Sequence, residues 1–258
     1  MFLSGARKHK YPRRLSSIME ILPGIEMVGL ALFLEHEKTL IISDLHIGLE
    51  ESLNKEGILV PRFQLKRLME ELGRVLEKTH PKTVVINGDL KHEFGTISEQ
   101  EWRDTLKVLD FLSRNTQEII LIKGNHDKIL GPIAVKRNLK VTPSLKIGDI
   151  LILHGDKIPS PSALEGIKTL IIGHEHPAVS IRDTIRSELF KCFLLGTYSR
   201  KKLIVMPSFN YVTEGTDILK QELLSPFLKG TDMGKFEVYV AADKTYHFGK
   251  LKTFLRNS

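Results

Sequence analysis

Residues 169–179 read TLIIGHEHPAV, and their reading decides the fold. The apolar run Leu170-Ile171-Ile172 stops at Gly173; His174, Glu175, His176 and Pro177 follow. A short β-branched run bounded by glycine reads as a buried strand. Two imidazoles at its end are poor packing and good metal donors. The habit recurs. Ile41-Ile42-Ser43 runs into Asp44-Leu45-His46, and Val84-Val85-Ile86 into Asn87-Gly88-Asp89. Ile120-Leu121-Ile122 runs into Lys123-Gly124-Asn125-His126-Asp127, and Leu151-Ile152-Leu153 into His154-Gly155-Asp156. In α/β sheets ligands bind beyond the carboxyl ends of strands. Five strand ends delivering Asp, His and Asn therefore imply one shared site. Taken singly, each is weak: an Asp-x-His pair is usually a turn, and a lone His154 is usually a hydrogen-bonded core histidine. The ordered set carries the reading.

Outward from these ends the pattern alternates. Val28–Leu34 and Thr39–Ser43 read as two strands joined by the turn Glu35–Lys38. Pro61–Lys78 reads as a helix, with Phe63, Leu65, Leu68, Met69, Leu72, Val75 and Leu76 at three- and four-residue steps. Thr83–Asn87 is a strand. Ser98 caps a helix to about Arg114, with Glu101 at the capping-box position. Further strands follow at Glu118–Lys123, Leu139–Val141, Leu145–Ile147, Ile150–Leu153 and Thr169–Ile172, with a short helix at Ser162–Lys168. Strands near Val179–Ile181, Leu189–Leu195 and Leu203–Val205, a loop Met206–Asp217, and a terminal hairpin of Phe236–Ala242 and Thr245–Phe248 complete the chain. A β-α-β-α-β first half and a mostly β second half predict one α/β domain, a two-sheet sandwich with helices outside.

Bulk properties narrow the class. The chain has 258 residues, 41% of them hydrophobic, enough for a proper core. One cysteine, Cys192, rules out an internal disulfide and fits a reducing compartment; its apolar surroundings predict a buried thiol. No apolar run approaches the roughly 18 residues of a membrane span, so a soluble, cytoplasmic protein without a membrane partner is expected. The net charge of +7 suggests nucleic acid at first sight. Five of those charges, however, are Arg7, Lys8, Lys10, Arg13 and Arg14, in a basic leader of residues 1–18 that carries no acid. Without apolar periodicity the leader is expected to be flexible, with Met19 an alternative start and residues 19–258 the folded domain. The remainder, at +2, does not support a large nucleic-acid footprint.

The ordered blocks DLH, GD, GNHD, HGD and GHEH resemble those of the calcineurin-like metallophosphoesterase superfamily, over roughly Thr39 to Asp217. DLHIGLEESL with VPRF behind it, GHEHPA and MPSFNYVTEGTD resemble the branch of DNA-ligase-associated phosphoesterases and their archaeal relatives. The resemblance implies an α/β/β/α sandwich and two divalent metal ions, manganese first, with iron, zinc, nickel or cobalt as alternatives. It implies that Asp44, His46 and His176 bind one ion, that Asn125, His154 and His174 bind the other, and that Asp89 bridges both. His126 is implied as a catalytic histidine rather than a ligand. Oxygen and imidazole donors without thiolate suit these metals. Paired ions clamp both oxygens of an in-line phosphoryl displacement, and a hydroxide held between them is the expected nucleophile. His126 is then placed to protonate the leaving oxygen.

One departure stands out. Many relatives read GDxxD, the second Asp orienting the catalytic histidine; here residues 88–93 read Gly-Asp-Leu-Lys-His-Glu. His92, Glu93 and Asp127 are candidates to orient His126, and the pattern does not choose among them; the alternative for His92 is an exposed loop histidine. Asp127 and Asp156, directly after ligands, are expected either behind them as acceptors or as plain turn residues. Lys91, Lys123, Lys128 and Arg62 are candidate phosphate contacts, each weighed against a solvated charge. GHEH itself, read as extended, turns His174 and His176 to the site and Glu175 away. Three functions follow in order: a phosphodiesterase on nucleotide or nucleic-acid substrates, a phosphomonoesterase, and a non-catalytic scaffold such as the retromer subunit of the same superfamily. The intact ligand set disfavours the last.

Overall fold

The computed structural model describes residues 18–93, 98–127, 137, 139–182 and 187–256. A first sheet holds β1 (Ile18–Leu22), β2 (Ile25–Val28), β3 (Ala31–Leu34), β4 (Thr39–Ser43), β5 (Thr83–Asn87), β6 (Glu118–Ile122) and β7 (Lys140–Thr142), neighbours in chain order. Pairing is antiparallel from β1 to β4 and parallel from β4 to β7. Parallel neighbours need crossovers. α1 (Leu49–Lys55) and α2 (Gln64–Thr79) fill the first, and α3 (Glu99–Asn115) the second.

The second sheet holds β8 (Ser144–Ile147), β9 (Ile150–Leu153), β10 (Thr169–Ile172), β11 (Pro177–Arg182), β12 (Ser187–Tyr198), β13 (Lys201–Val205), β14 (Thr216–Asp217), β15 (Glu237–Ala241) and β16 (Thr245–Lys250). Its order is β14-β11-β12-β13-β10-β9-β8, with the hairpin β15–β16 joined through β12. β9, β10 and β13 run parallel.

Period-two alternation sorts the apolar side chains into layers. Ile41, Val85 and Ile120 from the first sheet meet Ile152, Ile171, Phe193 and Ile204 from the second, forming the core between sheets. Their neighbours Leu40, Ile42, Val84, Ile86 and Leu121 point the other way, onto Leu68, Leu72 and Val75 of α2 and Val108, Leu109 and Leu112 of α3. Leu151, Leu153, Leu170, Ile172, Leu203 and Val205 form the outer face of the second sheet, covered by Phe227, Leu228 and Leu251. That cover consists of loop and of 3-10 turns at Met233–Lys235 and Leu251–Arg256. Every strand carrying a metal-type motif is thus buried on both faces and ends at one rim of the sandwich.

Several expected elements shift. Val28–Leu34 is the end of β2, a turn at Gly29–Leu30, and β3, with Val28 paired to Ala31. The turn residues lie within a continuous apolar run, so hydropathy alone hid them. β1 pairs with β2 and begins at Ile18; the rest of the basic leader, residues 1–17, lies outside the described residues. α2 begins at Gln64 rather than Pro61, because Glu50 Oε1 accepts from the amides of Phe63 (2.8 Å) and Gln64 (2.7 Å) and so caps it from α1. Phe63 is accordingly outside the helical stripe and 38% exposed. α1 itself was not expected. The helix expected at Ser162–Lys168 is one 3-10 turn, Pro161–Leu164.

Candidate metal centre

The parallel strands β4, β5 and β6 release Asp44, Asp89 and Asn125 at adjacent positions, and β9 and β10 release His154 and His174. Backbone bonds lace the loops together. Asp44 N donates to Gly88 O (3.2 Å), His46 N to Asp89 O (2.9 Å), Ile47 N to Leu90 O (3.0 Å) and Gly173 N to His154 O (2.8 Å). Gly88 (φ +80) is required by close approach: a Cβ there would lie 2.6 Å from His154 Cγ.

Nine non-glycine residues among those described have positive φ, and five are Asp44 (54°), His46 (46°), Asp89 (43°), His174 (63°) and His176 (48°). Such conformations cost of order 1–3 kcal/mol each and persist where surrounding structure imposes them, characteristically at functional sites. They also correct the geometry of GHEH. Residues 173–176 form a tight turn, closed by Glu175 N to Gly173 O at 2.7 Å, and not an extended segment. Glu175 does turn away: it is buried, and its Oε2 accepts from the amides of Leu224 (2.9 Å) and Ser225 (2.8 Å).

The side chains gather in two donor groups. In one, ligand atoms of Asp44, His46 and His176 lie within 4.8 Å of one another; in the other, those of Asp89, His154 and His174 do. His46 Nε2 stands 3.3 Å from His176 Nε2, and His176 Nε2 stands 3.3 Å from Asp44 Oδ1. Asp89 Oδ2 lies between the groups, 3.8 Å from His46 Nε2 and 3.4 Å from His154 Nε2. Asn125 Oδ1 meets His154 Nε2 at 2.9 Å. Asp44 Oδ1 and His154 Nδ1 are fully buried with no hydrogen-bond partner among the described residues. The two atoms face each other at 3.5 Å, and a buried carboxylate oxygen without a hydrogen bond among converging imidazoles is costly unless a cation completes it. The donor set fits divalent ions of the Mn, Fe or Zn kind, and the two clusters suggest a binuclear site.

The electrostatics agree. Burial pushes the Asp44 carboxyl up, but His176, His154 and the Ser43 hydroxyl (2.6 Å) outweigh it and hold it at about 2. Burial pulls His154 down, yet its bond to Asp89 and the charge of Asp44 push it up to about 9. His46 and His174 are lowered by burial and by neighbouring imidazoles. The buried carboxylates of Asp44 and Asp89 favour positive charge beside them.

His126 and its neighbours stand beside the first group. His46, His92 and His126 offer ring nitrogens within 4.8 Å of one another. His126 Nε2 is 4.0 Å from Asp89 Oδ2, and its backbone amide donates to Asp89 Oδ1 (2.9 Å). Its Nδ1 meets the carbonyl oxygen of His92 at 2.5 Å. A carbonyl only accepts, so Nδ1 carries the proton and Nε2 faces the centre. The group that orients His126 here is therefore main chain. The His92 ring stacks on that of His126 (centroids 5.5 Å, 26°) and points Nδ1 at His46 Nδ1, 3.4 Å away.

Other expected neighbours do different work. Asp127, buried, accepts from the amides of Leu90 (3.2 Å) and Gly124 (3.0 Å), clasping the β5 and β6 loops; burial, then Asp89, raises it to about 6. Asp156 pairs with Lys157 (3.7 Å). Glu93 contributes its backbone: its carbonyl accepts from Lys91 Nζ. Lys91 is fully buried, which removes it from the phosphate contacts and from the solvated charges alike. Arg62 and Lys123 are exposed, and Lys128 lies outside the described residues. Ser43, Gln64 and Asn210 support the site without any motif that marks them in the sequence. Gln64 Nε2 (3.0 Å) and Asn210 Nδ2 (3.1 Å) both donate to Leu45 O, holding the DLH loop from α2 and from the MPSFN segment. The only signal for Asn210 was its place in that segment.

Comparison with known proteins adds the lineage. The sequence model of the calcineurin-like phosphoesterases matches residues 37–232. The nuclease MPE of Pseudomonas putida is 19% identical, with 90% of this chain and 99% of that one covered at a TM-score of 0.65. The phosphoesterase Yfce of E. coli (15% identity, 78% and 86% covered, TM-score 0.38) and zinc-complexed Vps29 of Entamoeba histolytica (18%, 82% and 98%, 0.34) also match. No curated protein sequence matches significantly. The family match spans most of the chain and all five motif blocks: the chain belongs to the calcineurin-like phosphoesterase family.

Proposed function

We propose that this chain hydrolyses phosphodiesters of nucleotide or nucleic-acid type with two divalent ions, manganese first among them. Asp44, His46 and His176 would hold one ion and Asn125, His154 and His174 the other, with Asp89 shared between the two groups. Bound there, the ions supply Lewis acidity toward phosphoryl oxygens and water. The observation that carries the reading is the pairing of this donor set with His126, whose Nδ1 is tied to His92 O and whose Nε2 faces the centre.

Each side chain then has a task. The buried carboxylates of Asp44 and Asp89 concentrate negative charge where cations are needed. His126 keeps its Nδ1 proton on His92 O and turns Nε2 toward the leaving oxygen; a second proton, carried on Nε2, is the one donated as the P–O bond breaks. The stacked His92 ring limits its tilt. The likeness to the nuclease MPE, over nearly all of that protein, supports a diester substrate. The modest charge outside the leader favours a short strand or nucleotide over a long duplex footprint.

A substrate panel with the metal-reconstituted protein tests this. Cleavage of bis(p-nitrophenyl) phosphate with Mn²⁺, faster than that of p-nitrophenyl phosphate, is expected. A monoester preference would reassign the substrate class. Inactivity with Mn²⁺, Co²⁺, Ni²⁺, Fe²⁺ and Zn²⁺, while metal is bound, would return the chain to the scaffold reading.

A further inference from the structure

Glu101 was expected to close a capping box on Ser98, returning its carboxylate to the Ser98 amide. Half of the box forms: Ser98 Oγ accepts from Glu101 N at 3.1 Å. The carboxylate goes elsewhere. Glu101 is fully buried, and its Oε1 accepts from His92 N (2.8 Å) and Glu93 N (3.0 Å). Ser98 Oγ turns instead to Glu51 on α1.

The Glu93 amide belongs to the same peptide unit as the His92 carbonyl, and that carbonyl receives His126 Nδ1 at 2.5 Å. Carboxylate, peptide and imidazole are therefore in series: Oε1 of Glu101 holds the N–H end of one planar peptide, whose C=O end holds the His126 ring. Peptide planarity makes the connection stiff, because the two ends cannot turn independently. A carboxylate at the N–H end also polarises the carbonyl, strengthening its grip on the Nδ1 proton. The path is kept open by Gly48, at φ +97: a Cβ there would come within 2.9 Å of Glu101 Cγ. The second backbone bond, His92 N to Ile47 O at 2.9 Å, fixes the near end of the same loop.

We propose that Glu101 is the positioning residue of His126, acting through the His92–Glu93 peptide in a chain where no side-chain carboxylate stands at position 92. The inference rests on the hydrolase reading for its kinetic consequence, but its geometry is testable without turnover. Glu101→Asp keeps the charge and the helix position and shortens the reach by one methylene. Glu101→Gln keeps the reach and an accepting oxygen.

The experiment has two arms on the full chain. In the first, ¹⁵N-histidine NMR of the Zn²⁺-loaded protein reads the His126 tautomer. The Nδ1–H form with a strongly hydrogen-bonded proton is expected in wild type and Glu101→Gln, and its loss in Glu101→Asp. An Nε2–H tautomer in wild type, or an unchanged signal in Glu101→Asp, overturns the proposal. In the second, the Mn²⁺ enzyme is given two diesters: bis(p-nitrophenyl) phosphate, whose phenolate leaves unaided, and a thymidine dinucleotide, whose alkoxide needs a proton. Glu101→Asp is expected to lower kcat on the dinucleotide about tenfold or more and on the nitrophenyl ester less than about threefold, with KM little changed. Glu101→Gln is expected to restore the dinucleotide rate. An equal loss on both esters marks Glu101 as merely structural and overturns the proposal, as does a Gln variant no better than Asp. Wild type inactive on both esters, with the expected tautomer intact, would defeat the hydrolase reading and leave the positioning geometry standing.

Discussion

His126→Ala is expected to lose about 10²–10⁴-fold in turnover of poor leaving groups while retaining metal, measured by kinetics beside metal analysis. The prediction follows from a ring held at Nδ1 by a carbonyl and at its backbone by Asp89, and lying outside the donor groups of Asp44, His46 and His176 and of Asp89, His154 and His174. At this scale the sequence was legible where a residue type sits at a strand end, as with Asp44 or His154. It was not legible where function passes through main chain. No side-chain pattern shows that His92 works by its carbonyl, or that Glu101 leaves its own capping box to hold that peptide. GHEH shows the same limit: the two histidines part toward different donor groups because each adopts positive φ, which a period-two reading does not contain.

Elements hold the site from outside. Glu175, lodged between the candidate ligands His174 and His176, accepts two amides from the segment that covers the second sheet. Glu175→Ala is expected to cost about 1–3 kcal/mol by leaving those amides buried and unpaired, read as a lower urea midpoint. Helix α2 is similarly tied to the DLH loop by Gln64 and started by Glu50 from α1. Strands with clean bounds in the sequence, such as Thr83–Asn87 and Thr169–Ile172, are apolar runs stopped by Gly or Asn. β2 and β3 were fused in the reading because both are apolar through the turn. α1 went unseen because it is seven residues long, too short for periodicity, and has no side-chain cap.

Across the whole molecule, three buried apolar layers hold the fold, and the one between the sheets joins its two halves. Phe193, fully buried there, is expected to cost about 3–5 kcal/mol on replacement by Ala, measured by denaturant unfolding. Cys192, one residue earlier, faces the opposite layer and is fully buried, and burial pushes its thiol well up. It is expected to resist iodoacetamide at pH 8 in the native state and to react on unfolding, which mass spectrometry would show. The two-sheet architecture was legible from alternation and from the ligand-type strand ends, since parallel strands release their carboxyl ends on one side. What brings the rims together is the interdigitation of Ile41, Val85 and Ile120 with Ile152, Ile171 and Ile204, a tertiary fact that no local window holds.

The central claim, that these strand ends build a centre for two ions, is tested most directly by counting metal. Equilibrium binding of Mn²⁺ to the purified chain should give two ions per molecule in wild type, and one each in His174→Ala and His176→Ala at concentrations that saturate wild type. A wild-type stoichiometry of one or none, or both ions retained in either variant, would contradict it.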